Sequence, residues 1–315
     1  MVVIEPESKA PLFADYPALP HPESQRGGLR AQEAADPFAA STPRVSIVTI
    51  VRNSAKTLPR TLESVISQDF RQIEYVVVDG GSTDGTLDVL RAAQNRIDLW
   101  ISEPDRGISD AFNKGIAFSR GEIIGLLNSD DWYEPGAIGA VVDAMDLSGA
   151  DIACGKMQYW EGNHRTYLTN SAPELLQARM TVGHPTVFVR RKYYEEIGLY
   201  RLDFRLAMDY EWLLRAKTAG AQFVTLGRCL SNMQSGGVGD RRWRMSQREV
   251  ARARAIHIPG ADTSLAYHAY VSRSIFKGVI RRGLDGLGLG VIRRMYHRWL
   301  SSVTVVSNHE NGKRR

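Results

Sequence analysis

Short apolar runs alternate with longer amphipathic segments through the first half of the chain. The apolar runs are rich in β-branched residues, a composition typical of buried parallel strands. They span residues 44–51, 73–78, 97–101 and 123–127. The segments between them repeat apolar residues every three or four positions, which predicts helices that pack on those strands. The order strand, helix, strand predicts parallel pairing with right-handed crossovers, and therefore an α/β fold.

Two polar residues mark where helices of this half should begin. Thr57 precedes the apolar face of the first helix, and Ser109 precedes that of the helix before the fourth strand. Their side-chain oxygens can accept hydrogen bonds from N–H groups of the first helical turn. We therefore expect both residues to act as N-caps.

The second half of the chain shows a less regular spacing. Its pattern predicts a helix at 135–145 and a strand at 151–158, followed by a polar hairpin or excursion at 161–169. Residues 183–189 are predicted to form a strand that is entered through a fixed turn. A further helix is predicted to begin at Met208. After residue 240 the alternation stops and two apolar helical stripes follow. They consist of Tyr270, Val271, Ile275, Val279 and Ile280, and of Leu284, Val291, Ile292, Met295, Trp299, Leu300 and Val303.

The two ends of the chain differ from the part between them. Residues 1–43 hold seven of the 13 prolines and show no sustained period, so we expect a leader without fixed structure, in which Leu12, Phe13 and Tyr16 are candidates for docking. Residues 44–240 form the predicted α/β domain. Residues 241–315 form a basic, amphipathic helical tail with 16 Lys or Arg against 4 Asp or Glu.

The basic tail predicts either an anionic partner or an internal packing role. Arg293, Arg294, His297 and Arg298 lie opposite its second apolar stripe, as in helices that lie on an anionic membrane surface. The same stripe can instead pack on the domain or on a second subunit, so an oligomer stays open as well. No nucleic acid partner is expected, because the tail lacks an aromatic platform or a recognition motif.

The overall composition is that of a soluble globular protein, with 43% hydrophobic and 24% charged residues. The sequence has no secretory signal and no run of about 20 apolar residues. We therefore expect a cytoplasmic protein, peripheral on the inner face of the plasma membrane if the tail binds lipid. Cys154 and Cys229 lie far apart, which indicates two thiols in a reducing compartment.

Acidic residues directly follow two of the predicted strands. Asp79 ends the second strand and precedes glycines that allow a ligand to approach the backbone. Asp130 and Asp131 follow the fourth strand, where adjacent carboxylates repel each other and lose solvation. Ligands of parallel sheets collect at this carboxyl edge, and a cation such as Mg²⁺ would balance the pair. The alternative is a solvated loop in which Asp130 caps the next helix.

Three later features are further candidates. Asp209 falls in the first turn of its helix, where the helix dipole favours an ionised carboxylate. His184 is either an ordinary core histidine or a residue of the same cleft. The segment 235–239 contains three glycines and is typical of a loop that closes over a ligand.

Five segments, taken in order, resemble the family 2 glycosyltransferases of the GT-A fold. They read VSIVTIVRN from residue 45, VVVDGGSTDGT from 76, DRGISDAFNKGI from 105, LLNSDDWY from 126 and MDYEWLLR from 208. The resemblance covers residues 45–238. It implies a Rossmann-like α/β sandwich with a mostly parallel central sheet, to which the basic helical extension is added.

The resemblance also implies an enzymatic activity. A family 2 enzyme would move a sugar from a nucleotide-diphospho-sugar donor to a hydroxyl of a glycan or lipid-linked acceptor, with inversion at the anomeric carbon. It would use a divalent metal ion, Mn²⁺ or Mg²⁺, and act in cell-surface polysaccharide or glycolipid biosynthesis.

Positions within the five segments imply roles for the residues of the donor site. Thr49 and Val51 would line the base pocket, and Asp79 would receive the uracil or ribose side of the nucleotide. Arg106 and Lys114 would approach the nucleotide or its diphosphate.

The same comparison of positions implies the metal ligands and the base. Asp130 and Asp131 would hold the metal, with Asp131 in direct contact. Asp209 would be the general base, although Met208 stands where the family has Glu; Glu211 is the alternative base. His184 and the glycine loop match recurring family features around the donor site.

Two other functions compete with glycosyl transfer. A sugar nucleotidyltransferase would carry a glycine-rich phosphate loop after the first strand, where this chain has Arg52, Asn53 and Ser54. A non-catalytic module that only binds nucleotide sugars would not need Asp130, Asp131 and Asp209 together.

Overall fold

The computed structural model describes residues 10–16, 24–32, 38, 41–237, 242–260 and 272. Both predicted apolar stripes of the basic tail lie outside these residues. Within the described residues, ten strands form one sheet and seven α-helices cover its faces.

The strands range from two to 12 residues in length. They are β1 (Gln25–Gly27), β2 (Val45–Val51), β3 (Ile73–Asp79), β4 (Leu99–Ser102), β5 (Ile123–Asn128), β6 (Trp132–Tyr133), β7 (Ile152–Glu161), β8 (His164–Thr169), β9 (Phe188–Arg190) and β10 (Phe223–Gln234). Their order across the sheet is β1-β4-β3-β2-β5-β9-β7-β10-β6, and β8 pairs with β7.

The helices follow the strands in the predicted alternation. They are α1 (Leu58–Ile66), α2 (Thr86–Ala93), α3 (Ile108–Phe118), α4 (Ala137–Ser148), α5 (Arg191–Ile197), α6 (Met208–Thr218) and α7 (Trp243–His257). Among the helices of the described ranges, none combines the length and the apolar character needed to cross a bilayer.

A parallel core of β4, β3, β2 and β5 organises the sheet. Every residue of β2 is buried, because strands flank it on both edges and helices cover both faces. Beyond β5, the short β9 runs antiparallel between β5 and β7, and β7 and β10 are again parallel. The predicted α/β class with a central parallel sheet is confirmed.

Two apolar clusters fill the space between the sheet and its helices. One includes Val48, Phe112 and Trp212 and lies under α3 and α6. The other includes Ile47 and Leu62 and lies under α1, α2 and α4. Successive residues of a strand point to opposite faces, so Ile47 and Val48 fall into different clusters.

Parts of the N-terminal leader are docked on the domain. Arg26 of β1 lies opposite Ile101 of β4 in an antiparallel pair. Tyr16 is buried, and its hydroxyl donates to Asp110 Oδ1 at 2.8 Å. The expectation of a leader without fixed structure is therefore wrong for these segments, while the expected docking of Tyr16 is confirmed. A strand of three residues is too short to show a period, so the pattern could not reveal it.

The two predicted N-caps make other contacts. Ser109 lies inside α3, and its hydroxyl donates to the carbonyl oxygen of Phe204 at 2.9 Å, while Gly107 takes the N-cap position. Thr57 does occupy the N-cap of α1, but its hydroxyl points to the carbonyl oxygen of Ser54 at 3.5 Å. The prediction of side-chain capping is wrong at both positions, because other carbonyl groups take the hydroxyl protons.

The predicted strand entered through a turn at 183–189 is confirmed, although the strand part is short. His184–Thr186 form a 3₁₀ turn and only Phe188–Arg190 form a strand. Pro185 lacks the N–H group that a central strand would need, which favours the turn. The predicted hairpin at 161–169 is confirmed by the pairing of β7 with β8.

The helix α7 contacts the domain although its residues belong to the predicted basic tail. It packs on α6, and Arg252 forms an ion pair with Asp203. The first described residues after position 241 are thus part of the folded unit.

Candidate active site

The loops that follow β2 and β3 form one hydrogen-bonded unit at the carboxyl edge of the sheet. The N–H of Asn53 donates to Ser82 Oγ at 2.7 Å, and the N–H of Thr83 donates to Asn53 Oδ1 at 2.9 Å. Asn53 has a φ of 51°, a left-handed conformation that asparagine tolerates. The N–H of Ser54 donates to Thr86 Oγ1 at 3.0 Å. These contacts give the two loops one fixed arrangement.

Asp79 lies at the centre of this unit. Its buried carboxylate accepts hydrogen bonds from the N–H groups of Gly81 at 3.1 Å and Ser82 at 2.9 Å. The hydroxyls of Ser82 and Ser102 also donate to it, the latter at 2.6 Å. Four donors of this chain therefore satisfy the Asp79 carboxylate, and the loop folds around it.

Thr49 and Val51 lie inside the sheet at the end of β2. Thr49 is fully buried, and its Oγ1 lies 3.0 Å from the hydroxyl of Tyr75. Val51 belongs to the apolar cluster under α1, and its carbonyl oxygen accepts the N–H of Gly80 at 2.9 Å. Both residues shape the end of the strand from within, and their direct contact with a nucleotide base stays a prediction.

Arg106 and Lys114 lie together near the end of β4. The guanidinium of Arg106 is 2.7 Å from Asp110, and its side chain is 67% exposed. The ammonium of Lys114 is 2.6 Å from Glu103. Arg106 and Lys114 line a cavity of about 330 Å³ beside the N-terminal segment. Their contact with a diphosphate stays a prediction.

Helix α1 holds the backbone of the carboxylate pair. The buried hydroxyl of Thr61 donates to the carbonyl oxygen of Asp131 at 2.8 Å. The guanidinium of Arg60 donates to the carbonyl oxygen of Asp130 at 3.1 Å and lies 3.5 Å from the ring centroid of Trp132. Sequence reasoning missed Arg60 and Thr61, because their partners lie 70 positions away and no local pattern marks them.

The negative charges of Asp130 and Asp131 have few positive or hydrogen-bonding partners in the part of the chain that the structure describes. Asp131 is 1% exposed, and its Oδ2 accepts a hydrogen bond from Asn128 Nδ2 at 3.1 Å. Burial raises the pKa of both carboxyls, and the charge of Asp130 helps to raise the pKa of Asp131 well above its ordinary value. Asn128, the N–H of Gln234 and Arg60 lower the pKa of Asp131 only in part.

The surroundings of this pair fit a divalent cation. Adjacent buried carboxylates are destabilising unless a positive charge balances them, and a cation between Asp130 and Asp131 would remove their repulsion. Over the described part of the chain, no three His, Cys, Asp or Glu side chains converge to form a complete metal site. Mg²⁺ needs only one or two protein carboxylates when water and phosphates complete its coordination.

His184 and Asp209 form a second titratable group. Asp209 Oδ1 accepts the N–H of Tyr210 at 2.7 Å. Burial raises the pKa of Asp209, and His184 lowers it in part. Burial lowers the pKa of His184, which favours the neutral imidazole. Its buried Nε2 has no hydrogen-bond partner among the described residues, and its ring lies 5.2 Å from that of Phe112.

The start of α6, which carries Asp209, is held by a carboxylate of α7. Glu249 is buried and accepts hydrogen bonds from the N–H groups of Leu206 at 2.7 Å and Ala207 at 2.8 Å. These groups precede the first turn of α6, so Glu249 fixes the direction in which the helix begins.

Glu211, the alternative base, is engaged elsewhere. It is fully buried, 3.1 Å from Arg215 and 2.8 Å from His257. Burial raises its pKa, but His257 and Arg215 together hold the pKa of Glu211 below its ordinary value. Its carboxylate is therefore part of a buried ion-pair network, and Asp209 is the better candidate for a base.

Packed elements link the carboxylate pair to Asp209. They are β5, β7, β10 and the 3₁₀ turn that carries His184. The N–H of Gln234, at the end of β10, donates a hydrogen bond to the carboxylate of Asp131 and lowers its pKa in part. The 3₁₀ turn that carries His184 packs against β5, β7 and β10, and His184 lies within electrostatic range of Asp209. Of the glycine loop predicted at 235–239, residues 235–237 are described and directly follow Gln234.

Comparison with known proteins places the chain in a family. A sequence model described as Glycosyl transferase family 2 matches residues 46–212. An uncharacterized glycosyltransferase of Mycobacterium tuberculosis (strain ATCC 25618 / H37Rv) is 34% identical over 208 residues, which cover 64% of this chain and 79% of that protein. The succinoglycan biosynthesis protein ExoU of Rhizobium meliloti (strain 1021) is 28% identical over 212 residues, or 61% of this chain and 62% of that protein.

A solved structure supports the fold. The mannosyltransferase PcManGT from Pyrobaculum calidifontis, in complex with GDP-Man and Mn²⁺, superposes with a TM-score of 0.54 at 16% identity over 87% of this chain and 89% of that chain. The predicted GT-A architecture is confirmed. The family match runs from β2 into α6 and includes Asp79, Asp130, Asp131 and Asp209. The chain therefore belongs to glycosyltransferase family 2.

Proposed function

We propose that the protein transfers a sugar from a nucleotide-diphospho-sugar to a hydroxyl of a glycan or lipid-linked acceptor, with inversion and with a divalent ion. ExoU, a relative by sequence, is a succinoglycan biosynthesis protein, which supports a role in cell-surface polysaccharide or glycolipid assembly. The complex of PcManGT with GDP-Man and Mn²⁺ supports the donor class and the metal.

One observation carries the proposal. Burial raises the pKa of three acidic side chains, and these divide into a pair that directly follows β5 and a single residue in the first turn of α6. The pair, Asp130 and Asp131, suits a cation. The single residue, Asp209, suits a proton acceptor, because a raised pKa makes a carboxylate a stronger base.

Asp130 and Asp131 would hold the metal ion, Asp131 by direct contact. When bound, the ion would stabilise the negative charge that develops on the leaving nucleoside diphosphate. The backbone contacts from Thr61 and Arg60 keep both carboxylates at the end of β5. On the donor side, we propose that Thr49, Val51 and Asp79 shape the nucleotide pocket.

Arg106 and Lys114 would approach the nucleotide or its diphosphate, since both cations lie near the end of β4, next to the strand that ends in Asp79. His184 would border the donor site beside Asp209. Burial lowers the pKa of His184, which limits the positive charge that its imidazole places beside the base.

Asp209 would take the proton of the acceptor hydroxyl as that oxygen attacks the anomeric carbon. The new C–O bond forms as the bond to the diphosphate breaks, so the configuration inverts in a single displacement. General base catalysis of this kind contributes roughly 10²- to 10⁴-fold to a rate.

The test separates the base from the metal ligand. We expect Asp209→Asn to lower the release of nucleoside diphosphate by about 10²- to 10⁴-fold while donor binding persists. We expect Asp131→Asn to abolish the extra thermal stabilisation that Mn²⁺ adds to donor binding. Binding is measured by thermal shift with a panel of UDP-, GDP- and dTDP-sugars, with and without Mn²⁺.

Asp88→Asn is the matched control, because Asp88 is an exposed acid on α2 that pairs with Arg91. It should behave like the wild type in both assays. Wild-type turnover in Asp209→Asn and Asp131→Asn would contradict the proposal. Synthesis of a nucleotide sugar would indicate a nucleotidyltransferase, and donor binding without turnover would indicate a non-catalytic module.

We also propose that the basic tail attaches the protein to the inner face of the plasma membrane. The support is its excess of Lys and Arg, since each basic residue near an anionic surface contributes about 1 kcal/mol. Deletion of residues 276–315 should release the protein from vesicles of phosphatidylserine and phosphatidylcholine in a co-sedimentation assay. Unchanged co-sedimentation would argue for packing on the protein instead.

A further inference from the structure

Two tryptophans lie beside the carboxylate pair and outside both apolar clusters of the described residues. Trp132 directly follows Asp131, and Trp160 of β7 lies in register with Gln234, whose N–H acts on Asp131. The two ring centroids are 5.3 Å apart, and the ring planes are tilted by 53°. Both side chains are partly exposed. Core packing therefore does not account for either ring.

Polar contacts fix the orientation of the two rings. Trp160 Nε1–H donates to Asn232 Oδ1 at 2.6 Å, and Asn232 Nδ2 donates to Glu134 Oε1 at 2.8 Å. Asn232 is fully buried, so this chain of hydrogen bonds has a rigid centre. Arg60 holds the other ring by its contact with Trp132. A surface ordered in advance loses little entropy when a ligand binds.

The rings are bordered by charged and amide groups. Arg165 lies opposite Trp160 in the hairpin register, with its guanidinium 5.2 Å from the ring centroid. A pyranose ring matches such a surface, because its C–H face can lie on the negative face of an aromatic ring while its hydroxyls reach polar neighbours. A lipid chain would instead need a continuous apolar patch.

The position of the tryptophans is opposite to that of the proposed donor pocket. In the sheet order, β3 and β2 lie on one side of β5, and β7, β10 and β6 lie on the other. Asp130 and Asp131 directly follow β5. A ligand on Trp132 and Trp160 would thus lie across the carboxylate pair from the nucleotide, where an acceptor must approach.

We propose that Trp132 and Trp160 bind a sugar ring of the acceptor, so that the acceptor is a saccharide rather than a simple lipid alcohol. The inference rests on the proposed glycosyl transfer. Trp160 stacks on the sugar, and Trp132 closes the corner next to the metal-binding pair.

The test uses p-nitrophenyl glycosides of glucose, galactose, mannose and N-acetylglucosamine as acceptors, with 1-octanol as the lipid alcohol. Wild-type protein should transfer sugar to at least one glycoside. Trp160→Ala should raise the acceptor KM about tenfold with little change in kcat. Trp160→Phe, which keeps an aromatic face, should recover most of that loss, and the donor-induced thermal shift should keep its size in both variants.

Tyr167→Ala supplies the matched control on the same hairpin, since Tyr167 stacks on Tyr159 at a centroid distance of 4.3 Å. It should leave the acceptor KM within about twofold of wild type. Equal KM values for Trp160→Ala and wild type, or equal losses in Trp160→Ala and Tyr167→Ala, would overturn the inference. So would transfer to octanol alone, or donor hydrolysis without transfer to any glycoside. Absence of both donor binding and hydrolysis would overturn the proposed function as well.

Discussion

Two buried carboxylates at the same edge of the sheet have opposite surroundings. Asp79 receives four hydrogen bonds from its own loop and from Ser102. Asp131 is equally buried but has a second carboxylate next to it, and its pKa is raised well above the ordinary value. The first charge is satisfied within the chain, whereas the second is left for a ligand.

The carboxylate of Asp79 orders the loop around it, whereas the Asp130–Asp131 pair is suited to bind a cation. Donors around Asp79 satisfy its carboxylate oxygens and order the loop after β3. Repulsion within the Asp130–Asp131 pair lowers the stability of the metal-free protein. A bound cation would remove this repulsion, and the free energy released would add to its affinity. A buried carboxylate with enough donors therefore indicates a residue that shapes its loop, while a buried carboxylate without sufficient counter-charge indicates a residue that is left for a cation.

The same substitution should have opposite effects at the two positions. Asp79→Asn should lower the free energy of unfolding by about 2 kcal/mol, because it weakens four charge-assisted hydrogen bonds. Asp131→Asn should raise it by about 1 kcal/mol in metal-free protein, because it removes a poorly balanced buried charge. Urea denaturation in EDTA at neutral pH measures both changes. A shift of the two midpoints in the same direction would refute the comparison.

The effect of Asp131→Asn on the free energy of unfolding should depend on pH. A carboxyl with a raised pKa in the folded state binds its proton more tightly there than in the unfolded chain. Its destabilising effect is therefore absent in acid and grows as the pH rises from the ordinary Asp range through the folded-state pKa. The gain in Asp131→Asn should be largest near neutral pH and should vanish in acid.

A smaller effect is expected at the contact that holds Asp131 from α1. Thr61→Val deletes the hydroxyl that donates to the carbonyl of Asp131, and it should weaken Mn²⁺ binding about tenfold, as measured by calorimetry. Thr61→Ser keeps the hydroxyl and should bind Mn²⁺ like the wild type. Both variants should lose about 1 kcal/mol of stability, one through the hydrogen bond and the other through a buried methyl group. Equal Mn²⁺ affinities in the two variants would show that the contact has no role in the site.

The sequence predicted those features that are encoded by neighbouring residues. The β-branched runs of β2 to β5 require burial on both faces, so their order and parallel pairing followed from the pattern. Asp79, Asp130 and Asp131 became candidates because each stands directly after a predicted strand, whereas Asp209 became the candidate base through the family resemblance. The roles of all four residues stay predictions.

Features that depend on distant partners were missed. The three residues of β1 are defined by pairing with β4, and the hydroxyl of Ser109 is taken by Phe204. Trp160 meets Trp132 only after β7 and β6 join through β10. No local period records such contacts, since each joins segments separated by a long stretch of chain.

The hydrogen bonds of Glu249 bear on how short a functional fragment of this protein can be. The family match ends at residue 212. The start of the helix that carries Asp209 is nevertheless held by the carboxylate of Glu249, which lies 40 positions after Asp209. A fragment trimmed to the family boundary would retain every acidic residue of the proposed chemistry and lose the clamp on one of them. We therefore expect the smallest autonomous unit to include α7, and a boundary after α7 to suit exchanges between this protein and its relatives.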